Sequence, residues 1–333
     1  MQTQATAASA RTGCGEATPR PELHDTIVVG GGPAGVACAV RLHQRGRHVL
    51  LLEAVAIGCR LAAGGYAAPR LPASAGQGLA RQLHAQLCDE AVPHRVGCEV
   101  AGIRQADGQG FEVRAGGETW CARSVVLATG LRPRCDGLSP SPCVGIGPDT
   151  SMQRIDVQRK RVAILGGGDQ ALAQAVAALR NGAQCVHIYS HGAPQARPHP
   201  MRHILRDWIH VGPYTVDPGR MTVNGHRYDV FSVQCGFEPC LPPGLVDLPQ
   251  RDGQVCVDAE GAVPSVPGLY AIGDTVAPRQ ADLQLAFAQG VRAAKTLDAR
   301  LAGSRPTRVA GAGDTDLGAW WDEPEDALSA AMA

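Results

Sequence analysis

Ile27-Val28-Val29-Gly30-Gly31-Gly32-Pro33-Ala34-Gly35 is the stretch that decides the fold of this chain. Three apolar residues form a strand, a glycine turn follows, and Val36 to Arg45 reads as a helix. Gly30-x-Gly32-x-x-Gly35 has the spacing of a dinucleotide-binding turn, and Pro33 and Ala34 lie inside it. Gly30 permits the tight turn, Gly32 lets the backbone approach a pyrophosphate, and Gly35 lets helix and strand pack closely. The anion then rests on the unpaired N–H groups at the helix N-terminus. A second strand, His48 to Leu52, ends at Glu53, about 20 residues on, where an acid meets a ribose hydroxyl.

The 333 residues suffice for about two domains with an ample core. Lys+Arg and Asp+Glu both number 31, so the formal net charge is zero and nothing points to nucleic acid or an anionic membrane surface. Lys160 and Lys295 are the only lysines; the remaining strong bases are arginine. Twelve cysteines include no Cys-x-x-Cys pair, and the nearest approach, Cys235-x4-Cys240, suits neither zinc nor a redox dithiol. Most of these cysteines are expected to be small buried apolar residues. His191, His199, His203 and His210 cluster loosely, but Pro198 and Pro200 break the helix that a His199/His203 pair would need, so no metal site is read. Residues 1–24 read as a disordered arm without the apolar stretch of a secretory signal, and no apolar run reaches the ~20 residues of a membrane span. The expectation is a reduced, cytoplasmic protein.

Beyond Glu53, a Gly/Ala/Pro-rich loop runs to Gly78, and Leu79 to Ala91 reads as a helix with Leu79, Leu83 and Leu87 on one face. Short strands over Glu99–Arg104, Phe111–Arg114 and Glu118–Ala122 predict a β-meander. A separate buried strand, Ser124 to Leu127, ends in Ala128-Thr129-Gly130. Arg132 to Arg159 lacks periodicity and is read as a domain crossing. The opening motif then recurs: Arg161 to Leu165 leads into Gly166-x-Gly168-x-x-Ala171, an alanine-rich helix runs to about Asn181, and Cys185 to Tyr189 is the next strand. Val266 to Gly273-Asp274 forms a third landmark, followed by a helix over Ala281–Leu301 and a polar tail carrying Trp320-Trp321.

These landmarks resemble the two-dinucleotide-binding-domain flavoproteins, and within them the low-molecular-weight thioredoxin reductase type, from about Asp25 to Gly303. The residues carrying the resemblance are Gly30 to Gly35, Ala128-Thr129-Gly130, Gly166-Gly167-Gly168, Gly273-Asp274 and Arg279-Gln280-Ala281. It implies an α/β fold of two Rossmann-like units, with the FAD domain (25–134 and 241–303) split by an inserted NAD(P)-type domain (135–240) and a tail over 304–333. It also implies a homodimer. Arg279-Gln280-Ala281 would lie against the flavin ring, and Gly58-Cys59-Arg60-Leu61 would occupy the ring-side loop. Asp274 reads either as a ligand to a ribityl hydroxyl or phosphate-linked oxygen of FAD or as a helix N-cap. Glu53 would bind the adenosine ribose.

Departures from the pattern carry information too. The place of the family's Cys-x-x-Cys falls on Asp149-Thr150-Ser151-Met152, so a dithiol relay is not expected. The place of its 2′-phosphate clamp reads Ser190-His191-Gly192, with Arg197 nearby; no acid stands there for an NAD-type ribose. The second turn therefore reads either as a nicotinamide site or as a retained structural turn. Residues 197–235 leave little room for the usual strand meander. Cys59 is read either as a flavin-side thiolate, its pKa lowered by Arg60, or as a small residue in glycine's place. Tyr66 would stack on the ring or line the loop, and Trp320-Trp321 would cover the ring or pack on the chain's own surface. The function expected is an FAD-dependent oxidoreductase passing electrons from NAD(P)H to a small acceptor or oxygen. The alternatives are a nicotinamide-independent FAD oxidase or dehydrogenase, a ferredoxin- or flavodoxin-type reductase, and a non-enzymatic structural or sensing flavoprotein.

Overall fold

The computed structural model describes residues 22–62, 73–106, 110–148, 155–193, 206–245, 248–251, 254–276 and 282–303. Tyr66, Asp149 to Met152, Arg197, His199, His203, Arg279-Gln280-Ala281, Trp320-Trp321 and all but the last three residues of the 1–24 arm lie outside them.

The chain opens with β1 (Leu23–Val29), α1 (Pro33–Gln44), β2 (Val49–Leu52), α2 (Cys59–Ala62), α3 (Ala73–Asp89) and β3 (His94–Arg95). β4 (Val100–Gln105), β5 (Phe111–Ala115) and β6 (Glu118–Leu127) complete the antiparallel meander. The two strands read separately around Ala122 are one. The first half of β6 pairs antiparallel with β5, while residues 121–127 pair parallel with β1. No turn former interrupts Cys121 to Ser124, so the strand runs on and changes partners rather than direction.

The first sheet has the order β3-β2-β1-β6-β5-β4, and β19 (Leu269–Ala271) joins β6 alongside β5. Alternation along β1 sorts its side chains between two cores. Val28 faces a helical layer with Val36, Val40, Leu83, Leu87 and Leu297, while Ile27 and Val29 face Phe111, Val113 and Ile103. All are buried, so Ile27 to Val29, the half of β1 that leads into the turn, has no polar face, as a central parallel strand requires. Each such side chain contributes about 1.5–3 kcal/mol on burial.

Two short strands carry the chain between sheets. β7 (Leu131–Pro133) leaves the first sheet and pairs antiparallel with the returning β16 (Phe237–Pro239), where Arg132 Nε donates to Glu238 Oε1 at 2.7 Å. Between them β8 (Val144–Ile146), β9 (Arg161–Leu165), β10 (Cys185–Ser190), β11 (Ile209–Val211) and β15 (Val230–Val233) form a second parallel sheet, order β11-β10-β9-β15-β8. α4 (Asp169–Arg180) packs its Leu172, Ala175 and Ala178 on that sheet. The stretch read as patternless thus contributes a strand, β8, too short for its period to show. The meander judged too long for the available chain exists in miniature, as two-residue strands β12 (Val216–Asp217), β13 (Thr222–Val223) and β14 (His226–Arg227). β17 (Gln250–Arg251) and β18 (Gln254–Val255) form a small hairpin, and a tight turn at Gly273–Thr275 precedes α5 (Leu283–Gly303). Residues up to Asp298 belong to one compact unit, and α5 carries the chain into a second. Among the described cysteines only Cys38 and Cys98 are buried; most are half-buried, and Cys88 and Cys135 are exposed.

Candidate active site

β1 delivers the chain to Gly30 with φ +111°, a conformation that side chains disfavour. A Cβ at Gly30 would stand 2.3 Å from the Ala128 carbonyl oxygen, and one at Gly35 would stand 1.9 Å from the Gly30 carbonyl oxygen. Both glycines are therefore fixed by the approach of β6 and α1 to the turn. Gly32 differs: a Cβ there would meet nothing within 4 Å, so its backbone faces open space at the N-terminus of α1. No acidic residue occupies the first turn of α1, which leaves its positive end to an incoming anion.

Glu53 follows β2. Its Oε2 accepts the Gly31 N–H at 2.6 Å and its Oε1 accepts the Val55 N–H at 2.9 Å, so one carboxylate braces both the glycine turn and the following loop. Each oxygen keeps a further acceptor position.

These elements surround a cleft of about 120 Å³ lined by Gly30, Gly32, Pro33, Ala34, Glu53, Cys59, Arg60, Leu61, Ala128, Thr129, Gly130, Gly273 and Asp274. Gly58 and Ala286 complete its wall. A second cleft of about 290 Å³ shares Gly30, Glu53 and Thr129 with the first and runs over Ala54, Glu99 and Val100 toward Arg132. Glu53 thus stands where two clefts meet.

Residues far apart in sequence close this site. The Gly130 N–H donates to Thr275 Oγ1 at 2.9 Å, joining Ala128-Thr129-Gly130 to Gly273-Asp274. The Gly273 N–H donates to Gln289 Oε1 of α5 at 2.6 Å. Gly290 brings α5 onto α1, since a Cβ there would stand 2.3 Å from the Ala34 carbonyl oxygen. Thr275, Gln289 and Gly290 were not singled out from sequence; a glycine inside the α5 pattern was the available signal for Gly290. Thr129 Oγ1 is buried without a hydrogen-bond partner among the described residues, on the wall of the cleft. A buried hydroxyl in that position awaits a polar ligand atom. The open Gly32 backbone, the unbonded Thr129 hydroxyl and the Glu53 carboxylate fit FAD.

Cys59 lies on the cleft at the start of α2, but its thiol is pushed up from the ordinary range by burial and then by the Glu53 charge, against smaller lowering by the Ala56 and Arg60 backbone and the Arg60 charge. Arg60 acts in the lowering direction expected of it, but burial and the Glu53 charge outweigh it, which favours the reading of Cys59 as a small residue in glycine's place. Arg60 directs its guanidinium to the Leu131 carbonyl at the start of β7, so it ties the ring-side loop to the crossing strand.

The second turn repeats the backbone plan. Gly166 has φ +127°, and a Cβ there would stand 2.1 Å from the Gln234 carbonyl oxygen. Gly168 is open, and Ala171 is buried against the sheet in the place that Gly35 takes in the first turn. β10 ends in Ser190, whose Oγ donates to the Gly192 carbonyl at 2.7 Å. His191 stacks on Tyr214 with ring centroids 4.5 Å apart, and His210 stacks on Tyr189 at 4.7 Å.

Residues 24–210 match the pyridine nucleotide-disulphide oxidoreductase family, and the chain belongs to that family. It is an FAD-dependent oxidoreductase. Among curated relatives it is similar to ferredoxin–NADP reductase of Acidovorax sp., 27% identical over 296 residues that cover 77% of this chain and 83% of the relative. Among solved structures it is similar in fold to Lactococcus lactis thioredoxin reductase, with TM-score 0.66 at 18% identity over 84% of this chain and 99% of that one. The bacillithiol disulfide reductase of Bacillus cereus gives the same TM-score, 0.66, at 17% identity over 84% of this chain and all of that one (100%).

Proposed function

We propose that this chain takes electrons from NAD(P)H at its second glycine turn and passes them through FAD at its first to an external acceptor, a ferredoxin- or flavodoxin-type carrier before other small acceptors or oxygen. The observation that carries this reading is the makeup of the first cleft. Its lining suits a flavin dinucleotide, yet Cys59 is its one thiol among the described residues. A dithiol relay needs an attacking and a resolving sulfur with Cβ atoms about 4 Å apart, and the chain contains no Cys-x-x-Cys. Reduction of a disulfide by an internal relay is therefore disfavoured, and the ferredoxin-linked relative supports a protein carrier as acceptor.

Bound FAD supplies the redox chemistry; the protein supplies position and electrostatics. The N-terminus of α1 with Gly30, Gly32, Pro33, Ala34 and Gly35 would hold the diphosphate. Glu53 would take the adenosine ribose, and Thr129, flanked by Ala128 and Gly130, would donate to or accept from the ligand. Asp274 beside Gly273 would hold a ribityl hydroxyl or phosphate-linked oxygen. Arg60 and Leu61 would back the ring on one side, with Arg279-Gln280-Ala281 as its other wall. Gly166, Gly168 and Ala171 would form the nicotinamide diphosphate turn. On this reading residues 25–134 and 241–303 are the FAD domain and 135–240 the inserted domain. A homodimer is the assembly that the family resemblance supports, and the sequence composition favours the cytoplasm; among the described residues no helix is long and apolar enough to cross a membrane.

The test is anaerobic mixing of the FAD-loaded protein with NADH and with NADPH, followed by addition of ferredoxin and cytochrome c. Bleaching of the flavin band, then ferredoxin-dependent cytochrome reduction, is the expected result. Bleaching without any ferredoxin effect would replace the protein carrier by a small acceptor or oxygen. No bleaching with either nicotinamide would overturn the entry route and favour a nicotinamide-independent oxidase, a reading to which Ser190 and Asp169 at the second turn lend weight.

A further inference from the structure

At the β3 edge of the first sheet, outside the lining of the flavin cleft, three ligand-bearing side chains converge. His84 and Cys88 lie one turn apart on α3 and are exposed, and His94 is half-buried on the edge strand β3. An imidazole nitrogen of each histidine and the Cys88 sulfur all lie within 4.8 Å of one another. The His84 and His94 rings meet edge to face with centroids 5.7 Å apart.

The backbone holds this arrangement in place. α3 ends in a left-handed residue, Ala91 at φ +52°, and the Val92 N–H returns to the Leu87 carbonyl at 2.9 Å. Val92 and Leu87 are both buried, so the chain is directed back over the helix end and His94 enters register opposite Leu51 of β2. His94 Nδ1 lies 2.8 Å from the Val92 carbonyl oxygen, which selects the tautomer with the proton on Nδ1 and leaves Nε2 as a free lone pair. A backbone carbonyl orienting one ring nitrogen while the other is offered outward is the arrangement that metal-binding histidines use.

We propose that His84, Cys88 and His94 form a zinc site, with one thiolate and two imidazoles as ligands and water in the fourth position. The donor set is the borderline-soft combination that suits Zn²⁺ and its spectroscopic substitute Co²⁺ rather than Mg²⁺ or Ca²⁺. Binding replaces the Cys88 S–H proton by the metal and releases that proton to solvent. The ion would pin the C-terminal end of α3 to the sheet edge through side chains that are not among the residues proposed to hold FAD. The site is therefore independent of the flavin reading.

The test uses the full-length protein as purified. After loading with zinc chloride and dialysis, elemental analysis is expected to give one zinc per chain. Titration with cobalt chloride is expected to give tetrahedral Co²⁺ bands to the red of the flavin absorption and a thiolate-to-metal charge-transfer band. Cys88→Ser should abolish the charge-transfer band, and His84→Ala, a helix-favouring change at an exposed position, should weaken cobalt binding by at least ~100-fold, more than the loss of an outer partner. Cys135→Ser, at an exposed cysteine elsewhere, should change nothing. Absence of retained zinc and of tetrahedral cobalt bands would overturn the proposal, as would bands that persist unchanged in both Cys88→Ser and His84→Ala.

Discussion

Gly30 and Gly166 make the same backbone bonds. Each donates its N–H to a carbonyl of the neighbouring strand, Leu52 or Tyr189, at 2.8 Å, and each sits against the carbonyl just past the strand on its other side, Ala128 or Gln234. The position after β2 is Glu53, which braces Gly31. Its counterpart after Tyr189 is Ser190, whose side chain bonds forward to the Gly192 carbonyl. The helix at the first turn begins with Pro33 and no acid, whereas the helix at the second begins with Asp169, whose charge already complements the helix dipole. Two turns of one backbone plan thus present different electrostatics. On the proposed reading the first would hold a diphosphate tightly, and the second would admit one only in competition with a carboxylate. That difference suits a resident flavin beside an exchanging nicotinamide.

The comparison breaks most directly at the two pinned glycines. Gly30→Ala would force a Cβ to within 2.3 Å of a carbonyl oxygen on a strained φ. The variant should purify without flavin, read as the ratio of visible to ultraviolet absorbance. Gly166→Ala meets an equally close carbonyl, at 2.1 Å, yet should keep its flavin and lose nicotinamide bleaching by more than ~100-fold in rate if the turns have separate ligands. Loss of flavin from both variants would erase the distinction.

Glu53→Gln sharpens it. An amide retains one acceptor oxygen but turns a donor toward the other N–H, so FAD affinity should fall about 30-fold, or ~2 kcal/mol, by equilibrium dialysis of the apoprotein. Ser190→Ala at the matching position should leave FAD affinity unchanged.

At Asp169 the effect is smaller. Removing a charge from the first turn of a helix changes anion binding by about 0.3–1 kcal/mol, so Asp169→Asn should lower KM for the preferred nicotinamide about twofold to fivefold. Steady-state kinetics at low salt would show it, and an increase in KM would mean that the carboxylate itself holds the ligand.

The least effect belongs to Cys59. Its thiol is raised, so the protonated form dominates at neutral pH and thiolate appears only as pH climbs past the range of free cysteine. Alkylation of Cys59 by iodoacetamide, followed by peptide mass analysis, should therefore be slower at neutral pH than that of free cysteine and accelerate in alkali. Cys59→Ser should change the rate of flavin reduction less than about twofold. A large loss of rate would restore it as a redox participant.

Much of this was legible in the residues because the parts in question are local. Gly30 to Gly35, Glu53 and Ala128 to Gly130 each sit at the junction of one strand with one turn, and a period of two followed by a glycine rule identifies such junctions. What escaped was long-range or short. β8 and the strands over 216–227 are two or three residues each, below the length at which periodicity exists. The bonds from Gly130 to Thr275 and from Gly273 to Gln289 span 145 and 16 residues, and nothing in either segment announces the other. Arg60 was read through its neighbour Cys59, but packing sent it to the Leu131 carbonyl. His84 and Cys88 carried a readable one-turn spacing; their third partner, His94, reaches them only through the reversal at Ala91 and Val92.

The flavin content of the two glycine variants beside the parent chain tests the central claim most directly. Parent and Gly166→Ala should each carry one FAD per chain after reconstitution, while Gly30→Ala should remain colourless. A parent chain that refuses FAD, or a Gly30→Ala variant that retains a full equivalent, would contradict the assignment of the flavin to the first turn.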